Sequence, residues 1–304
     1  MKTREYPAFA GIQEEFPMAL VNPMNFIHKA QEKGVAIASF NVHNLESIQA
    51  VAEGAAEENC PVIIQTTPGT LKHAGIPYIA AMVKAASELY DIPMALHVDH
   101  CTSFETIMQC IRYGYTSVMI DTAALPYEEN VAMVRKVVEV AHSVGVAVEG
   151  ELGKIGGTED NISVDAREAT FTVPSEAKDF VERTGLDMLA IAIGTAHGQY
   201  KGEPKLDFPR LTAIREVVDV PLILHGASGV PDWQIKESLQ RGIAKINIAT
   251  ELKIPMAAAI QDCFAKKPTE IDPRNYMGGA KKAVKEVVRQ KIRLCNGTNF
   301  ANQL

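Results

Sequence analysis

The sequence has no long apolar run. It nowhere approaches the roughly 20 consecutive apolar residues of a membrane-spanning helix. Residues 1–16 mix charges with prolines and do not form the apolar core of a signal peptide. These absences argue against a membrane protein and against a secreted one. We therefore expect a cytoplasmic protein that does not bind membranes.

The sequence also lacks paired cysteines. Its five cysteines, Cys60, Cys101, Cys110, Cys263 and Cys295, are scattered, odd in number and free of any Cys-x-x-Cys motif. This pattern argues against a disulfide framework and suits a reducing compartment. We expect the cysteines to be buried thiols.

Positive charge is not in excess either. The chain carries 30 lysines and arginines against 37 aspartates and glutamates, a formal net charge of -7, and its basic residues are spread along the sequence. A nucleic-acid partner is therefore not expected. With 304 residues, 47% of them hydrophobic, the chain can bury the core of one large α/β barrel or of two ordinary domains.

What the sequence does contain is a β/α repeat. Short β-branched runs alternate with helical patterns from residue 35 to about residue 268. Eight runs are expected to be strands: 35–42, 62–67, 93–99, 117–121, 147–152, 188–194, 221–225 and 244–250. The helical patterns between them include 45–59, 79–90, 128–143 and 206–218. Eight strands, each followed by a helix, predict a single (β/α)8 TIM barrel domain over residues 1–304.

The main alternative fold is a doubly wound open sheet. That fold more often has about five or six strands and a Gly-x-Gly-x-x-Gly turn after the first. Here Asn41-Val42-His43-Asn44 follows the first strand, which favours the barrel. An extra helix from Asn22-Pro23 to about residue 33 is expected to close the barrel floor. A basic amphipathic helix at 278–296 is expected to pack on the barrel or on a partner subunit, and residues 1–21 form an N-terminal extension.

Polar residues collect at the predicted C-terminal ends of the strands, where barrels of this type carry their chemistry. They are Asp99 and His100 on strand three, Asp121 on strand four, Glu149 and Glu151 on strand five, His197 after strand six, His225 on strand seven, and Asn247 and Thr250 on strand eight. We therefore expect the functional site on this rim.

Three of these residues, His100, His197 and His225, match the ligand count of a catalytic zinc site with one open position. A single histidine at a strand end is more often a hydrogen-bonded core residue, but three on one rim with carboxylates between them favour a metal. Cys101 is a weaker candidate ligand because its neighbour His100 already supplies a nitrogen. A zinc ion held by three neutral histidines keeps nearly its full positive charge and can stabilise negative charge on a bound molecule.

Glycine-rich turns follow strands six, seven and eight. Their backbone N–H groups, with the hydroxyls of Ser228 and Thr250, predict a phosphate site at the position usual for this fold. Tight loops that need positive φ are the alternative. The long segment 153–174 is expected to be a lid, because Glu159 follows Gly156-Gly157 on the catalytic rim, and a flexible surface loop is the alternative.

Five motifs resemble those of the class II ketose-bisphosphate aldolases in order and spacing. They are His-Val-Asp-His at 97–100, Val-Glu-Gly-Glu-Leu-Gly-x-x-Gly-Gly at 148–157, Gly-Thr-Ala-His-Gly at 194–198, Leu-His-Gly-Ala-Ser-Gly at 224–229 and Lys-Ile-Asn-Ile-Ala-Thr-Glu-Leu-Lys at 245–253. The resemblance covers about residues 24–296. It is nearest to the tagatose-1,6-bisphosphate branch, through Thr67-Pro68-Gly69-Thr70, His73-Ala74-Gly75, Gly194-Thr195-Ala196-His197-Gly198 and Asn247-Ile248-Ala249-Thr250.

The resemblance implies a lyase that reversibly cleaves D-tagatose 1,6-bisphosphate to dihydroxyacetone phosphate and glyceraldehyde 3-phosphate. It implies that His100, His197 and His225 bind Zn2+, that Asp99 exchanges the proton of the C4 hydroxyl, and that Glu159 handles the proton on the dihydroxyacetone phosphate carbon. Asp121 and Glu151 lie where some members bind a second metal ion or where carboxylates hydrogen-bond to the zinc ligands. The implied substrate-binding residues are Asn41, Gly198, Lys201, Gly226, Ala227, Ser228, Asn247, Ile248, Ala249, Thr250 and Arg274.

In the family, the residue at Arg274 binds the distal phosphate of a neighbouring subunit's substrate. The resemblance therefore implies a homodimer or a homotetramer. It leaves open whether a monovalent cation assists the phosphate site and whether a non-catalytic companion subunit is required.

The sequence leaves three alternative functions to consider. Fructose 1,6-bisphosphate, or another phosphorylated ketose or sugar acid, is an alternative substrate because Thr122-Ala123-Ala124 replaces the Ser-His type of turn. Lys245 on strand eight would suit a Schiff-base aldolase, or else be salt-bridged deeper in the barrel. A non-catalytic barrel would be expected to have lost a ligand or Asp99, and all of these residues are present.

Overall fold

The computed structural model describes residues 20–159, 162–164, 169–200 and 202–304, with residues 158, 159 and 162–164 described by their backbone alone. Within these ranges there are eleven strands: β1 Ile37–Asn41, β2 Val62–Thr66, β3 Met94–Cys101, β4 Ser117–Ile120, β5 Ala147–Leu152, β6 Gly156–Glu159, β7 Ile162–Val164, β8 Met188–Ile191, β9 Ala196–His197, β10 Leu222–Leu224 and β11 Ile243–Ile248.

Eight of these strands close a parallel barrel. Its order is β1-β11-β10-β8-β5-β4-β3-β2, which confirms the predicted (β/α)8 barrel. The remaining three described strands form a small sheet in the order β7-β6-β9.

The helices of the described part of the chain are α1 Met24–Glu32, α2 Leu45–Glu57, α3 Pro68–Ala74, α4 Ile76–Leu89, α5 Phe104–Arg112, α6 Tyr127–His142, α7 Pro174–Thr184, α8 Phe208–Arg215, α9 Asp232–Gln240, α10 Thr250–Lys266 and α11 Pro273–Leu294. A 3₁₀ helix at Phe300–Gln303 ends the chain's regular structure. Of the helices in the described ranges, none combines the length and apolar character that crossing a membrane requires.

The floor of the barrel is apolar and is closed by α1, as predicted. Phe26 and Ile27 of α1 are fully buried in a cluster with inward-facing residues such as Ile37, Ile63 and Met188. Burying a side chain of this size stabilises the fold by about 1.5–3 kcal/mol. The floor therefore supplies stability and leaves the opposite rim free for polar residues.

Above the floor, the inward-facing positions become polar. Successive side chains of a strand point to opposite faces, so every second residue of a barrel strand points inward. On β3 the inward-facing residues are Ala95, which belongs to the apolar floor, and then His97 and Asp99. On β5 they are Glu149 and Glu151, and all of these residues are buried. The barrel interior thus carries two polar layers between the apolar floor and the rim.

Strand β3 is longer than predicted and contains a bulge. It continues to Cys101, which pairs with Ile120, and its register with β4 shifts between Val98 and Cys101. Within the shift, His100 has a φ of 48°, in the left-handed region that non-glycine residues seldom occupy. A bulge of this kind changes the direction of a side chain and is common beside active sites.

Several other boundaries differ from the sequence-based expectation, and two of them have a visible cause. Thr250, predicted on the last strand, begins α10, because β11 ends at Ile248 and Ser228 Oγ accepts the N–H of Ala249 at 3.2 Å where the chain turns. Helix α8 lies within the predicted 206–218 and starts only at Phe208, because the Asp207 carboxylate caps its first turn by accepting the N–H of Arg210 at 3.0 Å.

The C-terminal helix α11 packs along α2. It begins at Pro273, earlier than predicted, and buries Val284 and Val288 on one face. Lys281 Nζ lies 2.6 Å from Glu53 Oε1, and further ion pairs continue along the two helices. The basic side of this helix therefore neutralises the acidic side of α2.

Candidate metal centre and active site

Three histidines from different parts of the chain meet on the C-terminal rim. His100 lies on β3, His197 on β9 and His225 directly after β10. The ring centroid of His100 is 4.7 Å from that of His197 and 4.6 Å from that of His225, and the other two rings are 6.2 Å apart. Each can offer one ring nitrogen so that the three nitrogens lie within 4.8 Å of one another.

His100 is oriented by Asp121, which follows β4. Nδ1 of His100 lies 2.8 Å from Oδ2 of Asp121, and because a carboxylate accepts hydrogen bonds, Nδ1 is the nitrogen that carries the proton. Burial raises the pKa of Asp121, but the hydrogen bond and charge of His100 outweigh it, so the net pKa is lowered. Asp121 therefore fixes the orientation of the His100 ring and selects the tautomer whose lone pair lies on Nε2.

His225 is fully buried and lies between two glutamates of β5. Its Nε2 is 2.8 Å from Oε1 of Glu149, and its Nδ1 is 3.3 Å from Oε2 of Glu151. Burial, followed by the charge of His100, lowers the pKa of His225 well below its usual range. A neutral imidazole results, which is the form that binds a metal.

His197 is held by the small sheet. Strand β6 pairs in parallel with β9, with Gly157 opposite His197. Gly157 has a φ of 99°, and a Cβ on it would lie 2.2 Å from the carbonyl oxygen of His197. Only glycine permits this approach. The segment predicted as a lid therefore contains strand β6, which is hydrogen-bonded to β9 beside the candidate ligand His197.

The residues fit a zinc ion. Three neutral imidazoles with one open position are the donor set of a catalytic zinc site. Nδ1 of His225 is buried and has no hydrogen-bond partner among the described residues, as expected of an atom that binds a ligand outside the protein. His100 also forms a second group with Asp121 and Glu151, whose ligand atoms lie within 4.8 Å of one another. Burial, then the charge of Asp121, raises the pKa of Glu151 well above its usual range.

Asp99 lies beside the histidines on β3 and is fully buried. It accepts three amide hydrogen bonds: from Asn41 at 3.1 Å, from Gln65 at 2.9 Å and from Asn247 at 2.9 Å. Gln65 also donates to Asn41 at 2.7 Å and accepts a short hydrogen bond from Ser39. These bonds fix the carboxylate in one orientation at the rim.

The glycine-rich turns lie together, as the sequence predicts. Gly226 has a φ of 62°, and a Cβ on it would lie 2.6 Å from the carbonyl oxygen of Ala196, so the turn requires glycine. Ser228 Oγ accepts the N–H of Ala249 at 3.2 Å and so joins this turn to the start of α10. Two oxygens of this region, Thr195 Oγ1 and Asn247 Oδ1, are buried without a hydrogen-bond partner.

Tyr200 connects two of the turns. Its hydroxyl accepts the N–H of Ala196 at 2.8 Å and donates to the carbonyl oxygen of Gly226 at 2.7 Å. Burial raises the pKa of Tyr200 to about 12, so the hydroxyl keeps its proton and can donate at neutral pH. The tyrosine holds the turns that carry His197 and His225 at a fixed separation.

Some predicted site residues are not placed around the histidines. Lys201 lies outside the described residues, and only the backbone of Glu159, at the end of β6, is described. Arg274 lies in the first turn of α11, where its exposed guanidinium pairs with Asp272 of the same chain at 2.6 Å.

Sequence reasoning missed Gln65, Tyr200 and the partner of Lys245. Lys245 is fully buried and lies 2.8 Å from Oε2 of Glu149, which agrees with a salt bridge in the barrel and argues against a Schiff-base lysine. A polar side chain at an inward position of an otherwise apolar strand is the signal that would have identified Gln65. Tyr200 gives no such signal because it lies in a loop.

Comparisons with known proteins agree with this geometry. Residues 21–299 match the family model described as "Fructose-bisphosphate aldolase class-II". The chain is similar to the YdjI aldolase from Escherichia coli K12, with 34% identity over 92% of this chain and 98% of that one and a TM-score of 0.81. It is also similar to a protein assigned as a fructose-1,6-bisphosphate aldolase from Coccidioides immitis, with 27% identity over 93% and 99% of the two chains and a TM-score of 0.86. The fold is shared by the fructose-bisphosphate aldolase of Campylobacter jejuni, with 23% identity over 94% and 98% of the chains and a TM-score of 0.79.

Proposed function

The chain belongs to the family of class II fructose-bisphosphate aldolases and is a lyase, and from this premise we propose that it reversibly cleaves D-tagatose 1,6-bisphosphate to dihydroxyacetone phosphate and glyceraldehyde 3-phosphate. The observation that carries the proposal is the convergence of three histidine rings next to the oriented carboxylate of Asp99. The preference for tagatose rests on the resemblance of residues 67–70, 73–75, 194–198 and 247–250 to that branch.

In this proposal His100, His197 and His225 bind Zn2+, on which the family generally depends. Three imidazole nitrogens with one open position suit the ion. Zinc would supply positive charge to stabilise the negative charge that arises when the carbon-carbon bond beside the ketone breaks. Asp121 orients His100 through its hydrogen bond to Nδ1. Glu151 lies next to His225 and, in this proposal, either orients that ring or binds a second metal ion together with His100 and Asp121.

Two carboxylates move protons. Asp99 accepts the proton of the C4 hydroxyl during cleavage and returns it during synthesis. Its amide donors leave accepting capacity, because an ionised carboxylate has about four lone-pair positions. Glu159 protonates the dihydroxyacetone phosphate carbon, and β6 supports this role because the strand is paired with β9 beside His197.

The phosphate next to the ketone binds at the glycine turns. Residues proposed to bind it or the adjoining ketose are Asn41, Gly198, Lys201, Gly226, Ala227, Ser228, Asn247, Ile248, Ala249 and Thr250. The first turn of α10 adds the N–H groups of a helix start, which favour anions. The buried oxygens Thr195 Oγ1 and Asn247 Oδ1 suit a hydroxyl group or a monovalent cation.

Arg274 is proposed to bind the distal phosphate of a neighbouring subunit's substrate in a homodimer or homotetramer. Its guanidinium is exposed and pairs with Asp272, two positions earlier in the same chain, so it is accessible to a second subunit. A bidentate guanidinium suits a phosphate group.

Fructose 1,6-bisphosphate is the second candidate substrate. It is favoured by the description of the matching family model and by the name of the relative from Coccidioides immitis. The two sugars differ in configuration at C4, next to the proposed position of Asp99.

The test is release of dihydroxyacetone phosphate from both bisphosphates, before chelation, after chelation and after zinc is added back. We expect cleavage to stop with chelator and return with zinc, and the tagatose sugar to be cleaved faster. Faster cleavage of the fructose sugar would correct the substrate. Cleavage that survives complete metal removal, or no cleavage of either sugar by zinc-loaded protein, would contradict the mechanism or the substrate class.

A further inference from the structure

Beneath the rim, the barrel interior contains an ion pair that the proposed chemistry does not use. Glu149 on β5 and Lys245 on β11 are both fully buried. Oε2 of Glu149 lies 2.8 Å from Nζ of Lys245. Burying two charges costs several kcal/mol per ion, and exchanging such a pair for apolar residues is often neutral or stabilising. A contribution to the stability of the fold therefore does not by itself explain why a buried ion pair occupies this position.

The ion pair contacts one of the candidate zinc ligands. The other oxygen of Glu149, Oε1, lies 2.8 Å from Nε2 of His225. Lys245 occupies one carboxylate oxygen and His225 the other, so the lysine holds the carboxylate plane in the orientation that meets the imidazole. His97 lies farther from the same carboxylate, with Nε2 at 3.7 Å from Oε2.

This contact decides which nitrogen of His225 carries the proton. Glu149 can only accept from Nε2, so Nε2 is protonated and Nδ1 keeps its lone pair. Within the part of the chain that the structure describes, Nδ1 has no hydrogen-bond partner. The competing tautomer carries its proton on Nδ1. It would be stabilised by Glu151, whose Oε2 lies 3.3 Å from Nδ1 and could accept that proton in a hydrogen bond.

We propose that the Glu149–Lys245 pair is a positioning device that holds His225 in its Nε2-protonated tautomer, so that Nδ1 is presented to zinc and not to Glu151. The inference rests on the zinc site of the proposed function. Carboxylates that hydrogen-bond to a histidine ligand typically contribute about 10–100-fold to metal affinity. Glu149 and Lys245 are positioning residues, since neither touches the substrate in this arrangement.

The test compares two double variants that leave no unpaired buried charge. Glu149→Leu with Lys245→Met removes the acceptor, whereas the matched control Glu149→Gln with Lys245→Met keeps an amide oxygen for Nε2. Zinc affinity is measured by chelator competition on protein shown to be folded by circular dichroism. We expect the leucine variant to bind zinc about 10–100-fold more weakly than the wild type, and the glutamine variant to recover most of that loss.

A second measurement does not depend on the variants folding. Nitrogen chemical shifts of His225 in metal-free wild-type protein labelled at histidine report which ring nitrogen is protonated, and we expect Nε2. Protonation of Nδ1, or a folded leucine variant that binds zinc as tightly as the wild type, would overturn the inference while leaving the zinc site intact. Wild-type protein that binds no zinc would remove the proposed site and this inference with it.

Discussion

Nδ2 of Asn247 donates a 2.9 Å hydrogen bond to Oδ1 of Asp99, from β11 to β3. Asn41 of β1 and Gln65 of β2 donate to the other oxygen of the same carboxylate. In the barrel order these are four consecutive strands, β11, β1, β2 and β3. The side chain proposed to move the C4 proton lies on β3 and is thus oriented by side chains from the three strands that precede it in this half of the barrel.

Asp99→Asn is expected to reduce cleavage about 10²–10⁴-fold, the usual contribution of a general acid or base. Zinc content should not change, because Asp99 does not belong to the candidate ligand group of His100, His197 and His225. The measurements are kcat and the metal-to-protein ratio. Asp91→Asn, at an exposed position, is the control and should keep full activity. Full activity of Asp99→Asn would assign the proton transfer to another group.

His197→Ala is expected to lower bound zinc far below one ion per chain, because a site with two histidine ligands binds zinc much more weakly than a site with three. The metal content after dialysis against a weak chelator is the measurement. His28→Ala changes an exposed histidine of α1 and should leave the zinc content at the wild-type level. Equal zinc content in both variants would exclude His197 as a ligand.

Gly226→Ala is expected to weaken binding of phosphorylated substrate and to destabilise the fold by about 1–3 kcal/mol, since alanine at this φ is strained. Its Cβ would also lie 2.6 Å from a backbone oxygen of Ala196. Steady-state KM and urea unfolding report the two effects. Gly278→Ala in α11 meets no atom within 4 Å and is expected to leave KM unchanged and raise stability slightly. An unchanged KM for Gly226→Ala would exclude the turn from phosphate binding.

Glu58 links α2 to the C-terminal helix by accepting from Arg289 at 3.0 Å and from Arg293 at 2.7 Å. Burial raises the pKa of Glu58, but these hydrogen bonds outweigh it, so the net pKa falls below the ordinary value of 4.5. A lowered folded pKa means that this stabilisation is present above pH 4.5 and is lost as the pH falls through the folded pKa.

Glu58→Gln is therefore expected to cost about 1–3 kcal/mol at neutral pH, as loss of a buried charged hydrogen-bond acceptor does. The difference from the wild type should shrink under acidic conditions. Urea unfolding at several pH values measures both. Glu88→Gln, which breaks only an exposed pair with Lys84, should change stability little at any pH. A constant difference between Glu58→Gln and the wild type at all pH values would contradict the linkage.

Arg274→Ala is expected to raise KM for a ketose bisphosphate and to leave cleavage of a ketose monophosphate nearly unchanged, because only the bisphosphate has a distal phosphate. Side-by-side kinetics with the two substrates measure the difference. Lys253→Ala, at an exposed position of α10, is the control for general loss of surface charge. Equal losses on both substrates, or none, would remove the distal-phosphate role.

The β/α alternation was sufficient to predict the barrel, because each element follows from a local period of apolar residues, and Asn22-Pro23 predicted the floor helix as its cap and first turn. It placed the segment 153–174 in a single loop, whereas β6 and β7 lie within it. Those strands form through pairing with each other and with β9, which is distant in sequence. Glu159 and Lys201 keep their predicted roles as proposals.

The sequence by itself determined that His100, His197 and His225 share one rim, because the carboxyl ends of parallel barrel strands all lie on the same side. Only the tertiary structure decided which carboxylate holds which ring: Asp121 with His100, and Glu149 with His225. It also decided that Lys245 is an ion-pair partner and that β3 bulges at His100. Hydrogen bonds are short and directional, so these partners depend on strand register and on the closure of the barrel, which local sequence patterns do not contain.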